Sequence, residues 1–221
     1  MLTLLNHPVS TCSQKVRLAL HEKNLAFEDR WVDLKRQQHL EPAYLALNPH
    51  GVVPTLLHEG RPVIDSSVIV EYLDEVFPAK PLMPADARGR AAVRAWMRYF
   101  EEVPTAAVRF PSFNQAFVPA NFAHQSEEQF AAAARQRPLR RHFYETMGRQ
   151  GFDDRHIRAS LEALRATFAR MQQALADGRP WLAGERLTLA DICIYPQTDR
   201  CEDIGLGWLW QEAPAVQGWL Q

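Results

Sequence analysis

Two serines one helical turn apart, Ser10 and Ser13, stand where a short apolar run gives way to an amphipathic segment. Leu2-Thr3-Leu4-Leu5 reads as a strand, and Val16, Ala19 and Leu20 recur at the three-to-four-residue spacing of a helix face. The first turn of a helix carries unpaired backbone N–H groups and a partial positive charge, so an anion placed there is stabilised. Serine hydroxyls at that point can cap the helix. They can also donate a hydrogen bond to an incoming anion such as a thiolate. From these residues alone both roles stay open.

The elements around this turn alternate in type. After strand 2–6 and helix 12–23, the segment 27–33 has apolar residues at every second or third position and reads as a strand. Residues 35–47 are polar and helical in pattern, with Pro42 expected to break the middle. Asn48-Pro49-His50-Gly51 marks a turn. Val53–Leu57 and Pro62-Val63-Ile64 flank a Glu59-Gly60 turn and predict a hairpin. Asp65-Ser66-Ser67 then opens a helix from Val68 to Val76. The order βαβαββα over the first 78 residues implies a mixed sheet with helices on both faces. Pro54 falls at the start of a strand, where a cis bond is an option for any X-Pro pair.

Residues 78–86 hold three prolines in nine positions and read as a linker. Everything after it is helical in pattern. Ala92, Val93, Trp96, Met97 and Phe100 form one stripe, and 104–125, rich in Phe, Pro and Asn, resists assignment. Ser126–Arg137 is a helix with Glu127 and Glu128 in its first turn. Residues 138–151 are basic and aromatic. Asp153 or Asp154 caps a long helix that Gly178 ends. Thr188 with Asp191 resembles a capping box ahead of a run that is apolar on nearly all sides, which makes Asp191 structural.

The 221 residues permit one large domain or two small ones. A net charge of −1 gives no reason to expect nucleic acid or a membrane surface as partner. No apolar run is long enough to span a membrane. The N-terminus lacks the pattern of a signal peptide, and the apolar end at Gly218–Gln221 suggests that the natural chain runs on. Three cysteines, Cys12, Cys193 and Cys201, have no paired spacing, so neither a disulfide framework nor a metal site is expected, and the setting is cytoplasmic.

Four motifs in this order resemble the cytosolic glutathione transferases over nearly the whole chain. Ser10–Leu20 resembles the active-site serine signature of the zeta, tau and theta classes. Asn48–Leu56 is similar to the family's cis-proline loop, and Asp65–Leu73 to its γ-glutamyl-binding motif. Leu187–Asp191 resembles its C-domain capping motif. The resemblance implies an α/β thioredoxin-like N-terminal domain (1–78), a linker (79–86) and an all-helical C-terminal domain (87–221). It also implies a homodimer that uses glutathione as cosubstrate without a metal.

On that resemblance Ser10 holds the glutathione thiolate, with Ser13 as the alternative donor. Val53 pairs its main chain with the cysteinyl backbone, and cis-Pro54 aims that backbone. Asp65 takes the γ-glutamyl ammonium and Ser66 the carboxylate. His39 falls where the theta class has a histidine near the glycyl carboxylate. Cys12 offers disulfide exchange as a third chemistry. The implied activity is that of a glutathione S-transferase acting on a small hydrophobic electrophile, by conjugation or β-aryl ether cleavage. The linker, the Arg94-Ala95-Trp96 helix and the 138–151 segment resemble bacterial β-etherases that cleave lignin-derived aryl ethers with glutathione. A maleylacetoacetate-type isomerase and a non-catalytic ligand carrier are the alternatives. Trp96, Tyr99, Phe100, Arg109 and Phe110 are candidates to line the electrophile pocket.

Overall fold

The computed structural model describes residues 1–122 and 124–221. They fall into two compact units: Met1–Val76 with Asn114–Phe152, and Phe77–Phe113 with Asp153–Gln221. The first unit thus includes a segment that the expected boundaries assign to the helical domain.

In the first unit the chain runs β1 (Leu2–Asn6), α1 (Thr11–Glu22), β2 (Glu28–Trp31), a 3-10 turn (Gln38–Leu40), α2 (Pro42–Leu45), β3 (Thr55–His58), β4 (Arg61–Ile64) and α3 (Ser66–Val76). The strands lie in the order β2-β1-β3-β4. β1 and β2 are parallel, and the other two pairings are antiparallel. This is the mixed sheet expected. Pro42 does not break a helix, however. Glu41 is extended, so Pro42 enters at the first helical position of α2, where its missing N–H has no intrahelical acceptor to lose.

Register brings the loops together. Leu5 pairs with Thr55, and Thr55 with Ile64, while Asn6 pairs with Trp31. The end of β1, the start of β3 and the ends of β2 and β4 therefore share one end of the sheet. The turns carrying Ser10, Val53-Pro54 and Asp65-Ser66 all leave from that end.

β1 is buried along its whole length. Leu4 and Leu56, opposite each other in the register, are completely buried, as are Val16, Ala19 and Leu20 of α1 and Ile69, Val70 and Leu73 of α3. Leu5 joins a second cluster with Val32, Tyr44 and Val53, as expected when successive strand residues point to opposite faces. α1 and α3 pack together and are tied by a buried ion pair, Lys23 Nζ to Asp74 Oδ1 at 2.7 Å.

The stretch that resisted assignment has a structure of short pieces. α4 (Ala87–Glu102) leads to α5 (Pro104–Ala107), α6 (Arg109–Ser112) and a π-helical run, Phe113–Phe122, with Pro119 inside it. Three prolines, each without an N–H, keep one regular helix from forming here. α7 (Glu127–Arg135) starts in a full capping box: the Gln129 N–H donates to Ser126 Oγ and the Ser126 N–H to Gln129 Oε1. α8 (Arg141–Met147) follows, in the basic-aromatic segment. The 22-residue α9 (Asp154–Leu175) is capped by Asp153, which accepts from the His156 N–H. α10 (Leu189–Asp203) is buried at eleven of its fifteen positions, and α11 (Pro214–Trp219) completes the second unit. Among the described residues, no helix is long and apolar enough to cross a membrane.

Asp191 holds the second unit at a point where three segments meet. Its Oδ1 accepts from the Leu182 N–H (2.9 Å) and Trp219 Nε1–H (3.0 Å), and its Oδ2 from the Thr188 N–H (3.0 Å) and hydroxyl (2.9 Å). Removing the carboxylate orphans several buried donors at about 1–3 kcal/mol each. Asp191→Ala should therefore destabilise the chain by about 3 kcal/mol or more, read from the urea midpoint. A loss below about 1 kcal/mol would contradict the structural role.

Candidate active site

α1 begins at Ser10, whose extended backbone makes it the N-cap. Ser10 Oγ accepts the Ser13 N–H at 3.3 Å. The bond occupies an acceptor site and leaves the hydroxyl proton of this half-buried residue to be donated. The N–H groups of Thr11 and Cys12 have no acceptor among the described residues, as the geometry of a helix start requires. Ser13 is fully buried, and its Oγ accepts from the His7 N–H. The two serines thus separate into a reachable donor and an enclosed support. Cys12 lies between them, half-buried, with a free thiol.

The Val53–Pro54 peptide bond is cis. No group among the described residues pairs with the Val53 N–H or C=O, although the side chain is buried. The residue before it is held firmly. Val52 C=O accepts from Tyr44 Oη–H (2.7 Å) and Asn48 Nδ2–H (2.9 Å), and both side chains also reach Thr55 Oγ1. Burial pushes the Tyr44 phenol up to about 12, against the opposing pull of its bond to Thr55, so it remains a donor. The result is a fixed main-chain edge, open for one more extended strand.

At the third turn Asp65 has φ of +68°, a left-handed conformation that few residues other than glycine adopt. Its Oδ1 accepts from the Ser67 and Val68 N–H groups and so caps α3. Its Oδ2 takes no bond among the described residues. Beside it the Ser66 N–H has no acceptor there either. Lys15, completely buried on α1, donates from Nζ to Ser66 Oγ (3.2 Å) and Ser67 Oγ (3.1 Å). A serine oxygen that accepts from an ammonium keeps its own proton available to donate.

His39 sits on the 3-10 turn, buried, and Nε2 meets Arg137 Nη1 at 3.1 Å. Burial, and then the charges of Arg137 and His7, hold its pKa at about 4. The ring is therefore neutral at physiological pH.

The structure thus brings Ser10, Val53, Pro54, Asp65 and Ser66 to one end of one sheet. Four further residues of this neighbourhood escaped the sequence reading. Lys15 left a signal, since a lysine four residues before Ala19 and beside Val16 lies on the buried stripe of α1. Tyr44, Asn48 and Arg137 left none, because their partners are set by tertiary packing. Of the electrophile candidates, all in the second unit, Phe100 is fully buried. Trp96 and Tyr99 flank the Arg170 guanidinium at 4.6 and 4.0 Å, and Phe110 stacks on His156.

Comparison with known proteins agrees with this geometry. The model of the glutathione S-transferase N-terminal domain matches residues 9–76, and that of the C-terminal domain matches 131–221. Protein LigF of Sphingobium sp. (strain NBRC 103272 / SYK-6) is 30% identical over 192 residues, 83% of this chain and 72% of LigF. The chain belongs to the glutathione S-transferase family. The crystal structure of beta-etherase LigF superposes with a TM-score of 0.89 at 27% identity, over 99% of this chain and 93% of that one. Glutathione S-transferase 1 of Dianthus caryophyllus is 47% identical over 88 residues, 40% of each chain. Maleylpyruvate isomerase of Ralstonia sp. is 42% identical over 86 residues, 39% of this chain and 41% of that one. This transferase-family chain thus spans about two-fifths of the length of the last two relatives.

A histidine held neutral by the fold costs stability only where the unfolded chain would protonate. Above pH 6.5 both states are neutral. As pH falls from about 6.5 towards 4, the unfolded state takes a proton that the folded state refuses, and stability drops. The loss attributable to His39 is at most about 3 kcal/mol. The apparent Tm should fall over this window, and His39→Asn should flatten that part of the curve. An equally steep curve in the variant would contradict the assignment.

Proposed function

We propose that the protein activates glutathione as its thiolate for attack on a small hydrophobic, aromatic electrophile, by conjugation or by cleavage of a β-aryl ether. The observation that carries the reading is the start of α1. A half-buried serine there has its acceptor site used and its proton free, beside two backbone N–H groups without acceptors. The donors present fit the tripeptide. Val53 would pair its main chain with the cysteinyl backbone, Ser66 would donate to the γ-glutamyl carboxylate, Asp65 Oδ2 would accept from the ammonium, and His39 would lie at the glycyl end.

When bound, glutathione supplies a thiol, which acts as the nucleophile once ionised. Ser10 donates a hydrogen bond to the sulfur and is not itself a nucleophile. Lowering a thiol from about 8.5 by two units needs about 2.7 kcal/mol. A charge-assisted hydrogen bond supplies about 1.5–3 kcal/mol, and a helix N-terminus about 0.3–1 kcal/mol more. The two together are sufficient.

The similarity to LigF along most of both chains favours ether cleavage among the possible reactions. A glutathione-dependent isomerase is the second reading, favoured by the match to maleylpyruvate isomerase. The intact set of Ser10, Pro54, Asp65 and Ser66 speaks against a carrier with a decayed site. A cytoplasmic homodimer completes the proposal, on the pattern of the family.

Ser10→Ala should lower kcat/KM with an aryl halide or a β-aryl ether by about 10- to 100-fold and leave the KM for glutathione nearly unchanged. Full activity in Ser10→Ala, with loss in Cys12→Ser, would replace the proposal with disulfide exchange.

A further inference from the structure

The turn between β1 and α1 is tied together by one residue, His7. Pro8 follows it, and a proline with its φ fixed suits the second position of a β-turn. The His7 C=O closes that turn by accepting the Ser10 N–H at 3.0 Å. The His7 N–H donates to Ser13 Oγ at 3.3 Å. The ring takes part as well, since Nδ1 accepts the Val9 N–H at 3.3 Å. Backbone and side chain of a single residue thus hold Val9, Ser10 and Ser13. From α1, Gln14 Nε2–H adds a bond to the Pro8 C=O at 3.2 Å.

The Val9 bond dictates the state of the ring. A backbone N–H only donates, so Nδ1 is the bare nitrogen of a neutral imidazole and the proton sits on Nε2. A proton on Nδ1 would set two donors against each other and break the bond. The ring is half-buried. Burial holds its pKa below the usual histidine value, against the opposing pull of the Asp33 carboxylate. Asp33 comes just after β2 and is itself engaged by Arg36, at 3.7 Å. On the 3-10 turn the titratable neighbour is His39, with a pKa of about 4 and Arg137 bonded behind it. α1 meets His7 through Ser13, which does not titrate.

We propose that His7 is the positioning residue of the Ser10 turn, and that its neutral ring, accepting at Nδ1, is required for Ser10 to meet the glutathione thiolate in place. The inference rests on the proposed function, because it takes that thiolate as the anion at Ser10. It gives the site an acid sensitivity separate from that of the thiol. As pH falls through the ring's pKa, the turn loses the Val9 tie while the thiol takes up its own proton.

The test reads the ring directly and compares two variants. In the free protein at about pH 8, well above the usual histidine value, 15N spectra should place the His7 proton on Nε2. The Val9 amide signal should then move with the ring's titration as pH is lowered. Asparagine offers a non-titrating acceptor close to the backbone, and leucine offers none. His7→Leu should lower kcat/KM with an aryl halide, at saturating glutathione, by about 3- to 10-fold. His7→Asn should recover most of that loss. Ionisation of the thiol alone makes kcat/KM fall about tenfold per pH unit on the acid side. The wild type should drop a further 3-fold or so below that line, and His7→Asn should follow it. A proton on Nδ1 in place of Nε2, equal activity of the two variants, or an acid limb that His7→Asn leaves unchanged would each overturn the inference. A wild-type complex whose thiol pKa is unshifted would instead overturn the proposed function. Should His7→Leu not fold, the tautomer and the acid limb of His7→Asn decide.

Discussion

The chemistry proposed for this site depends on one hydrogen bond, from the Ser13 N–H to Ser10 Oγ. It defines where α1 begins and so where the unpaired N–H groups of a helix start point. It also engages the serine as acceptor and leaves the proton as what the hydroxyl has to offer. Ser13 can hold this position because it is enclosed, its own oxygen taking the His7 N–H. The pair that looks redundant in the sequence is thus a half-buried cap and an enclosed support.

The rest of the first unit keeps that arrangement in place with buried polar groups. Lys15 reaches from the same helix to Ser66 and Ser67, and Lys23 pairs with Asp74 farther along. These bonds tie α1 to α3 and link the turn that carries Ser10 to the turn that carries Asp65 and Ser66. Tyr44 and Asn48 clamp Val52 and Thr55 on either side of Val53, whose main chain has no partner among the described residues. Strand register sets the three turns side by side, so no single loop has to reach far.

What the sequence made legible follows from how local each signal is. Helix caps were readable because the chemistry lies within four residues: Asp153 and the Thr188–Asp191 pair behave as their types require. The strands of the sheet were readable from apolar periodicity, although β2 is shorter than expected and exposed on all four residues. Pro42 was misread because the conformation of Glu41 decides whether a proline breaks a helix or opens one, and no local pattern fixed it. The stretch around Pro104, Pro111 and Pro119 was opaque because short helices and a π-helical run leave no single period. At the site, Ser10, Val53, Pro54, Asp65 and Ser66 sit in contiguous motifs. Arg137 meets His39 only through the fold.

The measurement that bears most directly on the central claim is the ultraviolet absorbance of the glutathione thiolate, titrated against pH in the complex of the wild type and of Ser10→Ala. The wild type should show a thiol pKa lowered by about two units from its ordinary value near 8.5, and Ser10→Ala should return most of that shift. A wild-type complex with an unshifted thiol would contradict the account, as would a shift that survives Ser10→Ala and disappears in Ser13→Ala.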